Sequence, residues 1–245
     1  MRITDHVYVL SGSYYTATDM RNLDRNGLLG EVYGIHTPQG IILVDCGLPG
    51  SGLAMIRETL AYYRLEERIV CLVVTHAHND HCGSAKAIQD MGAQVIAGSG
   101  DAPACLNGGS GGWETPFDQE QLYPAFTPDI LIDRDCEYNL YGLTLRFITI
   151  PGHTPGSIAI HLCLDHRTIL FTGDSLLPYG SAILDEVSFG WRGDIGFSRE
   201  ALLTSMMKLR KLQVDIILPG HGKICLKDGT QLLNLAAKEA FSTLR

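Results

Sequence analysis

No apolar run in this 245-residue chain approaches the length needed to cross a bilayer, which excludes a helical membrane span. There is no Cys-x-x-Cys pair either. The seven cysteines, at positions 46, 71, 82, 105, 136, 163 and 225, are odd in number and mostly lie inside apolar runs. That pattern argues against a disulfide framework and predicts buried free thiols in a reducing compartment. Asp5 and His6 interrupt MRITDHVYVL where an export signal needs a continuous apolar core, so the expected location is cytoplasmic. Lysine and arginine are absent between Lys86 and Arg134, an interval that holds Asp90, Asp101, Glu114, Asp118, Glu120, Asp129 and Asp133. With a formal net charge of −8, this stretch should repel phosphate, so neither nucleic acid nor membrane is an expected partner. The acidic residues read as a solvated face. Low-complexity tracts and boundary-marking linkers are also missing, and residues 1–245 read as one domain. No surplus amphipathic face points to an oligomeric state.

What the chain does have is an alternation of short apolar strands and helices. Runs rich in Val, Ile and Tyr predict strands at His6–Leu10, Glu31–His36 and Ile41–Asp45, with a turn at Pro38-Gln39-Gly40. Helical spacing of Leu53, Ile56, Leu60 and Tyr63 predicts a helix over Ser51–Tyr63. A fully apolar strand, Ile69–Thr75, a helix over Gly83–Met91 and a strand at Gln94–Ala97 follow, the order of an α/β layer with parallel pairing. Asn107 to Pro128 is a long Gly- and Pro-rich connection carrying Trp113, Phe117, Tyr123 and Phe126, either a functional loop or a surface loop pinned by aromatics. Strands resume at Ile130–Ile132, Leu143–Ile150, Ser157–Leu162 and Thr168–Phe171. A helix over Ser198–Leu212 with Ser198 as N-cap, a strand at Val214–Leu218 and a helix over Gly229–Leu244 complete the chain.

Thr75-His76-Ala77-His78-Asn79-Asp80-His81-Cys82-Gly83 is the strongest chemical signal. In an extended segment His76 and His78 project to one side, and Asp80 and His81 then sit where a helix begins, so four ligand-type side chains converge. Three more candidates stand just past strands: His153 between two Pro-Gly pairs, Asp174 after Phe171-Thr172-Gly173, and His221 after Leu218-Pro219-Gly220. Any one of them alone could be an ordinary loop residue bonding its own backbone. Imidazole with a minority of carboxylate suits zinc, and iron or manganese can occupy similar sites. Cys82 reads as packing. His6, His36, His161 and His166 lack partners at ligand spacing.

In this order, and over Asp45 to Gly222, these motifs resemble the metallo-β-lactamase superfamily. Val44-Asp45-Cys46-Gly47 is similar to that family's early Asp-Thr-Gly, with Cys46 in place of threonine. The resemblance implies a four-layer αββα sandwich of two sheets between outer helices, with the site at one edge. It also implies two metal ions, one on His76, His78 and His153, the other on Asp80, His81 and His221, with Asp174 bridging them and Asp45 in support. Two divalent ions carry four positive charges and Asp80 with Asp174 cancels two, which favours a bridging hydroxide. The implied reaction is metal-assisted hydrolysis, with Asp80 also carrying a proton to the leaving group.

Several branches of that family fit poorly. Dedicated β-lactamases usually lack the bridging aspartate. Glyoxalase II enzymes append a glutathione-binding helical domain, whereas 24 residues follow His221. RNA-cleaving branches need a large insertion or a basic arm, and the diiron flavoproteins carry glutamate where His78 stands. The expected substrate is a small ester, lactone or thioester, and the motif spacing resembles the acyl-homoserine lactonase branch. Tyr179 and Trp191, with Phe189 and Arg192, are the expected substrate contacts, and Trp113 and Phe117 offer another wall. Alternatives are a mononuclear iron oxygenase acting on persulfides, which would keep one iron, and a phosphodiesterase or nuclease, which would need a basic groove.

Overall fold

The computed structural model describes residues 1–11, 30–65, 67–109, 123–180, 185–190, 192 and 196–244. Six strands form the first sheet, in the order β1 (Val7–Ser11), β2 (Val32–Thr37), β3 (Gly40–Val44), β4 (Ile69–Val74), β5 (Gln94–Gly98) and β6 (Ile130–Ile132). The first two pairings are antiparallel and the rest parallel. The expected parallel layer is therefore found from β3 onward, while the turn at Pro38-Gln39-Gly40 closes a hairpin. The second sheet follows the order β13 (Ile216–Pro219), β10 (Arg167–Gly173), β9 (Ile158–Leu164), β8 (Leu143–Thr149) and β7 (Cys136–Leu140). β7 escaped the pattern reading because Glu137, Tyr138 and Asn139 are exposed and leave no apolar alternation. A separate antiparallel ribbon joins β11 (Leu177–Tyr179) to β12 (Glu186–Ser188).

Alternation along the strands sorts the buried residues into three layers. In β3, Ile41 and Leu43 face outward to α1 (Ser51–Tyr62), whose Ile56 and Leu60 pack with them. Ile42 and Val44 face inward instead, meeting Phe147, Ile160 and Phe171 of the second sheet. Beyond that sheet, Ile148, Leu170 and Ile217 pack against α5 (Arg199–Leu209) and α6 (Gly229–Thr243) through Leu202, Met206, Leu233 and Ala236. Helix, sheet, sheet and helix make the αββα sandwich. Ser198 caps α5 as its sequence position predicts, its side chain accepting from the Ala201 amide at 3.2 Å. The helix expected over Gly83–Met91 is found as α3 (Ala85–Asp90), and a separate single turn, α2 (Asn79–Cys82), precedes it. Gly83 itself stays helical at φ −58° and ψ −31°, and the break falls at Ser84, at φ −95° and ψ 6°. Glycine at 83 allows close packing on Pro49, whose nitrogen a Cβ would approach to 2.5 Å. A short 3-10 turn, Ser99–Asp101, leads into α4 (Ala102–Asn107).

Strand direction is what gathers the site. β8 and β10 are both antiparallel to β9, and β10 is parallel to β13, so β8, β10 and β13 end at one edge of the second sheet. The end of β4 is tied to that edge, because the Ile158 amide at the start of β9 donates to the Thr75 carbonyl at 2.9 Å. All seven cysteines are free thiols, with 46, 71, 82, 105 and 225 buried. Among the described residues, no helix is long and apolar enough to cross a membrane.

Candidate metal centre

Each candidate ligand follows the end of a strand. His76 and His78 leave β4, Asp80 and His81 lie in α2, His153 is in the turn from β8 to β9, Asp174 follows β10 and His221 follows β13. The structure brings all seven together. His76 Nε2 lies 3.0 Å from His78 Nδ1 and 3.2 Å from His153 Nε2, and the last two are 3.1 Å apart. In the second group His221 Nε2 lies 3.0 Å from Asp80 Oδ2 and 3.3 Å from His81 Nε2. Asp174 stands between them, with Oδ2 3.7 Å from His153 Nε2 and 3.5 Å from His221 Nε2, and Oδ1 3.3 Å from His81 Nε2.

Backbone bonds lock the turns that carry these groups. The Cys46 amide donates to the His81 carbonyl at 2.7 Å, Gly190 to Asp174 at 2.8 Å and Gly220 to Gly173 at 2.8 Å. Three glycines then sit directly on the ligands. A Cβ at Gly30 would fall 2.7 Å from His81 Cε1, and one at Gly190 2.7 Å from His153 Cε1. At Gly220 it would overlap Asp174 Oδ1.

The far sides of the rings fix their tautomers. Asp45, buried and in the left-handed region at φ 61°, accepts from the Thr75 amide at 2.7 Å and from its hydroxyl at 2.8 Å. Having given its only proton to Asp45, the Thr75 hydroxyl must accept from His76 Nδ1 at 3.0 Å, which leaves His76 Nε2 as a lone pair aimed into the cluster. Asp45 also takes the Nδ1 proton of His81 at 2.8 Å, so that Nε2 is the ring atom that faces the cluster.

Charge is divided unevenly across the seven. Burial, reinforced by the imidazoles of His81, His78 and His153, pushes His76 well down, so it stays neutral. Burial also opposes charge on His81, but the carboxylates of Asp80, Asp174 and Asp45 outweigh it and raise its pKa. Asp80 is driven up by burial and down by His81 and His221, with a net fall to about 2. Protons on His81 and His221 thus balance carboxylates that a cation would balance instead, releasing those protons.

This geometry fits a metal ion. Three ring nitrogens form a triangle with sides of 3.0–3.2 Å, and that of His76 carries a lone pair. Their spacing is close to the edge of about 3.3 Å expected for a tetrahedron with bonds of about 2.0–2.1 Å to nitrogen. Asp174 Oδ1 is buried without a hydrogen bond. His76, His78, His153 and Asp174 each offer a donor atom within 4.8 Å of the others, and so do Asp80, His81 and His221.

Other expectations fare differently. Tyr179 is 39% exposed in β11, while Trp191, Trp113 and Phe117 lie outside the described residues. Phe189 is buried with the α5–α6 core, and Arg192 lies over its ring. His6 and His36 are surface histidines paired with Asp165 and Glu67. Sequence reading passed over Thr75, the three glycines, Glu31 and Asp101. Asp101 in particular is no part of a solvated acidic face, being 1% exposed. One signal was available for it, since it follows the end of β5 as the histidines follow β4.

Glu31, at the mouth of β2, is buried and its Oε2 has no hydrogen-bond partner. Burial raises its carboxyl from 4.5 to about 7, with the His221 imidazole opposing. In the unfolded chain Glu31 therefore ionises before it does in the folded one, and its contribution to stability is full below pH 4.5 and is lost as the pH climbs to about 7. In the metal-free protein this loss should be on the order of 3 kcal/mol. Glu31→Gln should remove it, so denaturant titrations of the two proteins should diverge between these pH values. A gap independent of pH would show that Glu31 does not titrate with folding.

Comparison with known proteins places this architecture. The sequence profile of the Metallo-beta-lactamase superfamily matches residues 26–221. Hydroxyacylglutathione hydrolase GloC of Haemophilus influenzae is 32% identical over 171 residues, covering 65% of this chain and 73% of that protein. Beta-lactamase-like protein 2 homolog of Caenorhabditis elegans is 26% identical over 194 residues, 78% of this chain, and the chain spans 55% of that relative's length. Among solved structures, the class B3 di-zinc metallo-beta-lactamase LRA-12 from an Alaskan soil metagenome superposes with a TM-score of 0.76 at 18% identity, covering 100% of this chain and 92% of the other. The profile takes in every strand end that carries a candidate ligand, and the sandwich built on them is the fold of those neighbours. The chain belongs to the metallo-beta-lactamase superfamily.

Proposed function

We propose that the protein hydrolyses a small ester, lactone or thioester at a centre of two zinc ions, the first held by His76, His78 and His153, the second by Asp80, His81 and His221. Asp174 is shared between them. The observation that carries this reading is the position of Asp174, within 3.7 Å of ligand nitrogens in both groups. A site for one iron would leave the second group of Asp80, His81 and His221 without a purpose. When bound, such ions supply Lewis acidity at the carbonyl oxygen and lower the pKa of water to about 7.

The chain's own residues have defined tasks in that reaction. Asp45 and Thr75 hold His81 and His76 with their Nε2 atoms inward. Asp80, 3.0 Å from His221, is the proposed group that takes the proton of the attacking water and passes it to the leaving group. Tyr179 and Trp191 remain the proposed contacts for the rest of the substrate. Within the substrate class, the name of the Haemophilus relative supports a thioester. The match to that relative spans 73% of its own length. The test is a panel of a hydroxyacylglutathione thioester, an acyl lactone and a phosphodiester. Turnover of the thioester or lactone, abolished by a chelator and restored by zinc, is the expected result; turnover of the phosphodiester alone contradicts it.

A further inference from the structure

Asp101 is a buried carboxylate that the proposed reaction does not use. It closes the 3-10 turn after β5 and contacts two of the turns that carry ligands. Its Oδ2 accepts from the Ala77 amide at 2.9 Å and from the Thr154 hydroxyl at 2.8 Å, and its Oδ1 accepts from the Gly156 amide at 2.7 Å. Ala77 lies between His76 and His78, and Thr154 follows His153. The same Ala77 peptide is gripped on its other side, where Tyr123 donates to its carbonyl at 3.1 Å.

The close approach is built into the backbone. A Cβ at Gly156 would stand 2.6 Å from Asp101 Cβ, and one at Gly100 2.5 Å from the Pro155 carbonyl. At Gly98 it would overlap the Gly156 carbonyl. Glycine at all three positions lets the turn that carries Asp101 seat directly on the turn that carries His153. Burial raises the Asp101 carboxyl even though these three bonds and the nearby His78 imidazole favour its charge. No lysine or arginine is among its bonded partners, so stability alone is a poor reason to keep a carboxylate here.

We propose that Asp101 is a positioning residue that fixes His76, His78 and His153 relative to one another and thereby sets the affinity of the first metal ion. This rests on the reading of those three histidines as ligands. Removing a partner that orients metal ligands typically costs about 10- to 100-fold in metal affinity. Asn at this position keeps the shape but turns an amide NH2 toward donors that need an acceptor.

The test is a zinc titration of the metal-free full-length protein, wild type against Asp101→Asn, with cobalt substitution read by visible absorption. Expected are a loss of about 10- to 100-fold in the affinity of one ion, an unchanged second ion, and a shifted cobalt band for the weakened site. A lower melting temperature with both affinities and the cobalt spectrum unchanged would overturn the inference and leave Asp101 a purely structural residue. Should Asp101→Asn not fold, Thr154→Val, which removes one of the three bonds and keeps the carboxylate, decides by the same two readouts. A wild-type protein that takes up no zinc would instead sink the ligand reading itself.

Discussion

Asp174→Ala should lose activity by at least about a thousandfold, because shared stabilisation of several kcal/mol at the reacting centre goes with it. The same change should lower metal content, and the two losses should move together. Asp174 lies within 3.7 Å of His153, 3.5 Å of His221 and 3.3 Å of His81, so its carboxylate reaches ligand nitrogens of both groups. Its removal also takes away one of the two carboxylates that favour charge on His221. In the metal-free variant His221 should therefore titrate lower than in the wild type, a change that NMR of the imidazole protons would show. Wild-type turnover in Asp174→Ala would sink the assignment.

Gly220→Ala should be nearly as damaging although it adds one methyl group and removes no ligand. The new Cβ would overlap Asp174 Oδ1, lie 2.7 Å from His81 Cε1 and press on the Gly173 carbonyl carbon at 3.0 Å. Backbone cannot yield there, since the Gly220 amide is held by Gly173 at 2.8 Å and its carbonyl by the Glu31 amide at 2.7 Å. The ligands must move instead, and misplacement of about 1 Å can cost about a hundredfold in rate. Metal analysis and kcat of Gly220→Ala should therefore both fall while the far-UV spectrum stays unchanged. A fully loaded, fully active variant would show that the site is softer than its packing implies.

Much of this site was legible in the sequence because the ligands declare their chemistry and apolar runs mark the strand ends that carry them. His76 through His81 follow six buried residues of β4, and His221 follows four of β13. What could not be read was the support. Asp101 lies among acidic neighbours and looks solvated, and its burial depends on a glycine 55 residues later. Glu31 precedes a run of apolar strand residues and gives no sign that its carboxyl lies beneath the site. The roles of Gly30, Gly190 and Gly220 arise from contacts across sheets, which local pattern does not encode. Strand order was half visible, with the parallel β3–β6 layer following from helical crossovers. β7 stayed hidden because its exposed face breaks the alternation that identifies a strand.

The central claim is that seven side chains at four strand ends hold two metal ions for hydrolysis. Elemental analysis of the purified full-length protein, read beside the thioester and lactone assays, tests it most directly. Two zinc per chain, with turnover that disappears on chelation and returns with zinc, is the predicted result. One tightly bound iron per chain with no hydrolysis would contradict it and would make Asp80 and His221 something other than ligands.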